Sequence, residues 1–98
     1  MWYKADNGET IGTIGSEGGI IINDEEYSEI CRITLEKCSR YFAITCGIYG
    51  AMVHTVFGDE DNIYSTYNRM KQDLQVFIDT DTTEDEELKF YSEFTNKY

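Results

Sequence analysis

Cys31, Cys38, Cys46 and His54 are the residues of this chain best equipped for bond-making chemistry, and they fall in the order Cys-x6-Cys-x7-Cys-x7-His. Two chemistries use such residues. The first is metal binding. Structural zinc sites usually place ligand pairs about two to four residues apart, so that one knuckle delivers two ligands. That pairing is missing here, and neither a metal nor another cofactor is expected. The second is nucleophilic catalysis. In a hairpin turning at Gly50, position 46 pairs with position 54, which makes Cys46 and His54 direct cross-strand neighbours. A thiolate beside an imidazolium is an activated nucleophile. Catalysis also needs an oxyanion site and a cleft, and a short sheet offers neither. Cys31 and Cys46 moreover alternate with Ile and Leu, where a thiol behaves as a small hydrophobe. Cys46 and His54 are therefore carried only as the candidates for a small thiol enzyme.

Two other stretches imitate ligand loops. "GTIGSEGG", residues 12–19, is glycine-rich, but it lacks the phosphate-loop order and no lysine follows it. It precedes "III", a strand, so no helix N-terminus points at an anion. Residues 7–19 read as a short strand flanked by turns, or as a mobile loop. "DTDTTEDEE" invites calcium. Counted from Asp79, an EF-hand loop would put Thr83 at position 5, Glu84 where glycine is needed and Phe90 where the bidentate Glu belongs. The charged run instead suits the start of a helix.

The charge balance is the strongest global signal. There are 19 acidic and 8 basic residues, a formal charge of −11. Such a chain is repelled by nucleic-acid backbones and by anionic membrane surfaces, so neither is expected as a partner. The acids cluster at 24–26, 59–61 and 79–87, with tyrosines in or near the runs. Clustered carboxylates speed encounter with a basic protein, and aromatic rings anchor the contact. The candidate contact residues are Asp24, Glu25, Glu26, Tyr27, Asp59, Glu60, Asp61 and Tyr64. This build resembles that of small acidic proteins that block toxins or nucleases. The leading expectation is a non-enzymatic, immunity- or inhibitor-like protein that binds a basic protein. The alternative is a homodimeric domain without catalytic role. Three cysteines are an odd number for a disulfide framework, and "MWYKADNGET" lacks an apolar core of signal-peptide length, so reduced thiols in a cytoplasm are expected. No stretch approaches the about 20 apolar residues of a membrane span.

These residues must be positioned by a small number of elements. Ninety-eight residues make one domain, 1–98, with 41% hydrophobic and 14% aromatic residues to close a single core. "GIIIND" reads as a strand ended by Asn23-Asp24, and "DEEYSE" as a polar connection. "EICRITLEK" alternates, with Cys31, Ile33 and Leu35 on one face and Arg32, Thr34 and Glu36 on the other. "YFAITCGIY" alternates again, but both of its faces are fairly apolar, which asks for cover on both sides. "AMVHTVF" is the last strand. Beyond it Ile63, Tyr67, Met70, Leu74 and Phe77 step by four and three, the stripe of one helix face. Thr83 and Glu86 fit a capping box for a second helix, whose Leu88, Tyr91 and Phe94 should point inward with Phe90 beside them. The predicted fold is α+β: an antiparallel sheet of about four strands within residues 1–58, covered on one face by two C-terminal helices at about 61–78 and 84–97.

Overall fold

A computed structural model describes residues 1–98. The chain forms five strands and two helices: β1 (Trp2–Lys4), β2 (Ile20–Tyr27), β3 (Cys31–Lys37), β4 (Phe42–Ile48), β5 (Met52–Gly58), α1 (Ile63–Asp79) and α2 (Glu84–Lys97). The strands lie in chain order, β1-β2-β3-β4-β5, and every neighbouring pair is antiparallel. This is the α+β meander expected from the period-two pattern, with one strand more. Three residues, Trp2–Lys4, are too few to show a period, so β1 is invisible to alternation.

Short turns set the register. Ser28 and Glu29 both take positive φ between β2 and β3. Gly50, at φ +77°, makes the β4–β5 corner. β2 runs on to Tyr27, so Asn23 and Asp24 do not end it. A bulge between Ile21 and Asn23 shifts its register on β3 instead. Ile21 pairs with Glu36 and Asp24 with Thr34, which brings both onto one face of the sheet despite their odd spacing.

The helices cover the opposite face. Cys31, Ile33, Leu35, Phe42, Ile44, Cys46, Ile48 and Met52 point at them from β3, β4 and β5 and join one buried cluster with Ile63, Tyr67, Met70, Leu74 and Phe94. The α1 stripe is buried through Leu74, while Phe77 stacks on Phe90 of α2 with ring centroids 4.0 Å apart. Asp59 accepts from the backbone N–H groups of Asp61 and Asn62, and α1 begins at Ile63. The Thr83–Glu86 capping box forms at the start of α2. One inward assignment is corrected. Leu88 is 61% exposed, because two residues rotate a helix by about 200° and Phe90 and Phe94 are the residues that face the core.

The second face is covered only in part, by residues 5–19. This segment crosses β2 and β3 and is tied down by two carboxylates that are fully buried, Asp24 and Glu36. The backbone N–H groups of Glu17 and Gly19 donate to Glu36 Oε1, each at 3.1 Å. A Cβ at Gly15 would sit 2.3 Å from the Glu36 carboxyl carbon, so a larger residue there would displace the carboxylate from beneath the loop. The glycine-rich segment thus cradles an anion, and the anion is the chain's own. Asp24 accepts from Arg32 through Nε at 2.9 Å and Nη2 at 2.6 Å, from Thr34 at 3.0 Å and from Thr10 of the loop at 2.7 Å. Burial alone would push the Asp24 carboxyl up. The bonds from Arg32, Thr10 and Thr34 outweigh it and hold its pKa below the ordinary value.

A hydrogen bond to a charged group is worth about 1.5–3 kcal/mol, and an orphaned buried donor costs a similar amount. Glu36→Ala should therefore lower unfolding stability by about 2–4 kcal/mol in urea, with Glu36→Gln losing less. An unchanged midpoint in Glu36→Ala would show that the loop is not held by this carboxylate.

Candidate functional site

The β4–β5 register places Cys46 directly opposite His54, and both side chains face the helices. Cys46 is buried, and burial pushes its thiol up to about 12. The same desolvation pushes Cys31 up to about 11. Nucleophilic activation requires the opposite direction. His54 meets the ring of Phe94 edge-on at 6.2 Å, and its Nε2 has no hydrogen-bond partner within the protein. The expected neighbours are therefore together, Cys46 in the buried core and His54 half-buried beside it. Cys38, half-buried beside the loop, has its thiol raised as well, by burial and then by the charge of Glu36. All three cysteines are free thiols, and nowhere do three or more His, Cys, Asp or Glu side chains converge as a metal set.

The acidic candidates separate into two groups. Asp24, Glu25 and Tyr27 turn inward, away from solvent. Asp24 anchors the loop through Thr10. Glu25 accepts from Tyr67 at 2.9 Å and Lys71 at 2.8 Å, joining β2 to α1. Tyr27 lies in the core and donates to Asp79 at the end of α1. The run 24–26 reads as a solvated connection only while β2 is thought to end there; within a strand beneath a loop and beside a helix, its side chains find partners. Glu26, Asp59, Glu60, Asp61 and Tyr64 remain accessible. The last four form one cluster at the start of α1, with Tyr64 edge-on to Phe42 at 5.9 Å. Glu26 stands at the far end of the sheet, where its carboxylate accepts from the Tyr49 hydroxyl at 3.0 Å.

Between these two ends lies the part of the second face that the loop leaves open. Tyr41, Tyr49, Val53 and Phe57 stand on it with exposures of 42, 55, 78 and 56%. Tyr41 and Phe57 pack edge to face at 5.4 Å. Beside Val53 is a cleft of about 460 Å³ lined by Arg32, Thr34, Thr45, Gly47 and Tyr49. Gly47 floors it, since a Cβ there would meet the Met52 carbonyl oxygen at 2.9 Å. Asp24, Thr34, Thr45 and Thr55 make a polar row across the sheet beneath it, and the Thr45 hydroxyl is buried without a partner inside the protein. This surface holds no activated nucleophile or acid–base pair. It offers exposed apolar area, a shallow cleft and carboxylates at both ends. Its sequence signal is the double apolar face of residues 41–49, together with Val53 and Phe57 four apart in the last strand.

No family model, curated protein or solved structure matches this chain.

The thiols give two tests. Under native conditions only Cys38 should react with a disulfide reagent, and no faster than a free thiol; rapid labelling of Cys46 would restore it as a nucleophile. Stability should also fall as pH rises above 9. Unfolded thiols lose their protons near the ordinary value of 9.0, while folded Cys31 and Cys46 keep theirs until about 11 and about 12. The folded state then binds more protons, and each thiol contributes a loss of up to about 1.4 kcal/mol per pH unit in that window. Urea midpoints followed from pH 8 to 10.5 should decline less steeply in Cys46→Ala than in the native chain.

Proposed function

We propose that this chain is a non-enzymatic binding protein for a basic protein partner, immunity- or inhibitor-like in role, and that it binds through the open β4–β5 face. The observation that carries this reading is the strip Tyr41–Phe57–Val53–Tyr49, exposed on a sheet face with Asp59, Glu60 and Asp61 at one end and Glu26 at the other. Aromatic and aliphatic anchors supply contact energy, at about 1.5–3 kcal/mol for a fully buried Val or Phe side chain. The carboxylates and the net charge of −11 supply steering and discrimination against acidic partners. Arg32 does not counter this field, because Asp24 pairs with it and Asp6 lies 3.7 Å away. No helix is long and apolar enough to cross a membrane, and the free thiols suit a reducing, cytoplasmic setting.

A second reading uses the same surface for a homodimer. It is favoured by one observation: the two helices cover one face of a sheet whose β4 residues are apolar on both. The mass in solution separates the two readings. The first gives 11.4 kDa for the isolated chain, the second twice that value.

The binding test starts from capture at low salt, followed by a titration with the purified partner. A basic partner is expected, with affinity falling at least about tenfold between 50 and 500 mM salt. Val53→Ser with Phe57→Ser should cost at least about tenfold more while leaving the fold intact, since both side chains are exposed. A salt-insensitive partner, or one indifferent to the double variant, would contradict the proposal.

A further inference from the structure

The two edges of the sheet are unequal. β1 is three residues long and carries Lys4, a typical blunted edge. β5 is seven residues long, and its pairing with β4 runs without a bulge from Phe42↔Gly58 to Ile48↔Met52. Between Met52 and Gly58 there is no proline, lysine, arginine or carboxylate. No loop or side chain hydrogen-bonds to the backbone of residues 52–58 from outside the sheet, so its outer N–H and C=O groups are free to pair. The devices that normally protect an edge are absent from β5.

Resting on the basic-partner reading, we propose that this partner is bound by strand addition: an extended segment of it pairs with the outer edge of β5. Main-chain hydrogen bonds along seven residues would supply affinity, and alternate side chains would supply selectivity. Alternate residues of the added strand lie on the open face, next to Val53 and Phe57. The segment that fits is therefore apolar at every second position and cationic at both ends. One end meets Asp59, Glu60 and Asp61. The other meets the β4–β5 turn, where the Tyr49 N–H is bonded to the Ile30 carbonyl beside Glu29, and where Ala51 shares a cavity wall with Asp81 and Glu87.

Charge decides against a second copy as the occupant. An antiparallel β5–β5 pair centred on Thr55 sets Met52 opposite Gly58, so that the Asp59–Asp61 turn of each copy lies beside the other's β4–β5 turn. Each acidic turn then faces the other copy's Glu29, Asp81 and Glu87, in a pair with total charge −22, twice −11. Like charges so placed are repulsive, whereas lysines or arginines there are attractive.

The probe is a capped peptide that spans β5, alternating valine and threonine, with two lysines at each end. At low salt it should slow amide hydrogen exchange at alternate residues of 52–58 by at least about tenfold, and a glutamate-ended version should bind at least about tenfold more weakly. If the lysine-ended peptide binds but leaves the β5 amides unprotected, strand addition is overturned while the basic-partner reading stands. Strand addition is likewise overturned if the peptide does not bind and the captured basic partner, still sensitive to Val53→Ser with Phe57→Ser, leaves those amides unprotected. If no basic partner or peptide binds at low salt, both fall.

Discussion

A sheet with polar side chains buried on the face opposite its helices needs a second cover there, and this chain has helices for only one face. The interaction on which the rest depends is therefore the anchoring of residues 5–19 across β2 and β3 by buried Asp24 and Glu36. A buried carboxylate is costly unless its oxygens are fully engaged. Glu36 meets that demand with backbone N–H groups and Asp24 with Arg32, Thr34 and Thr10, so the polar groups that make the second face hard to cover are the ones that fasten its cover. The loop stops short of β4 and β5. Where it stops defines the open surface.

Local details of the backbone serve this arrangement. The bulge in β2 brings Asp24, rather than Asn23, opposite Thr34 and within reach of Arg32. Gly15 admits the Glu36 carboxylate, and Gly47 leaves the cleft beside Val53. On the other face Glu25 is the buried charge, engaged by Tyr67 and Lys71, and the rest is an apolar core in which Cys46 meets His54 and desolvation favours the neutral thiol.

Much of this is legible from residue order. The alternation of 31–37 and 42–48, the corner at Gly50, the Cys46–His54 pairing, the α1 stripe and the capping box at Thr83 all follow from period and turn chemistry, and the structure has each of them. What does not follow shares one cause. Arg32, Thr34 and Glu36, and the run 24–26, look like solvent-facing positions because polar side chains usually are. The burial of Asp24 and Glu36 depends on a glycine-rich segment distant in sequence, which holds them through Thr10 and backbone N–H groups, and that of Glu25 depends on Tyr67 and Lys71 of α1, so neither shows in the local pattern. Leu88 differs: a lone apolar residue at the edge of a helix stripe cannot be phased from its own type.

The most direct measurement is amide hydrogen exchange of the native chain, read at Glu17 and Gly19. With the loop anchored on Glu36, the Gly19 N–H is buried and both amides should exchange close to the rate of the β3 and β4 core amides. Exchange of Gly19 at the rate of an unstructured segment would mean that the loop stands off the sheet. The open surface would then run from β2 to β5, and its limits at the β4–β5 strip would be lost.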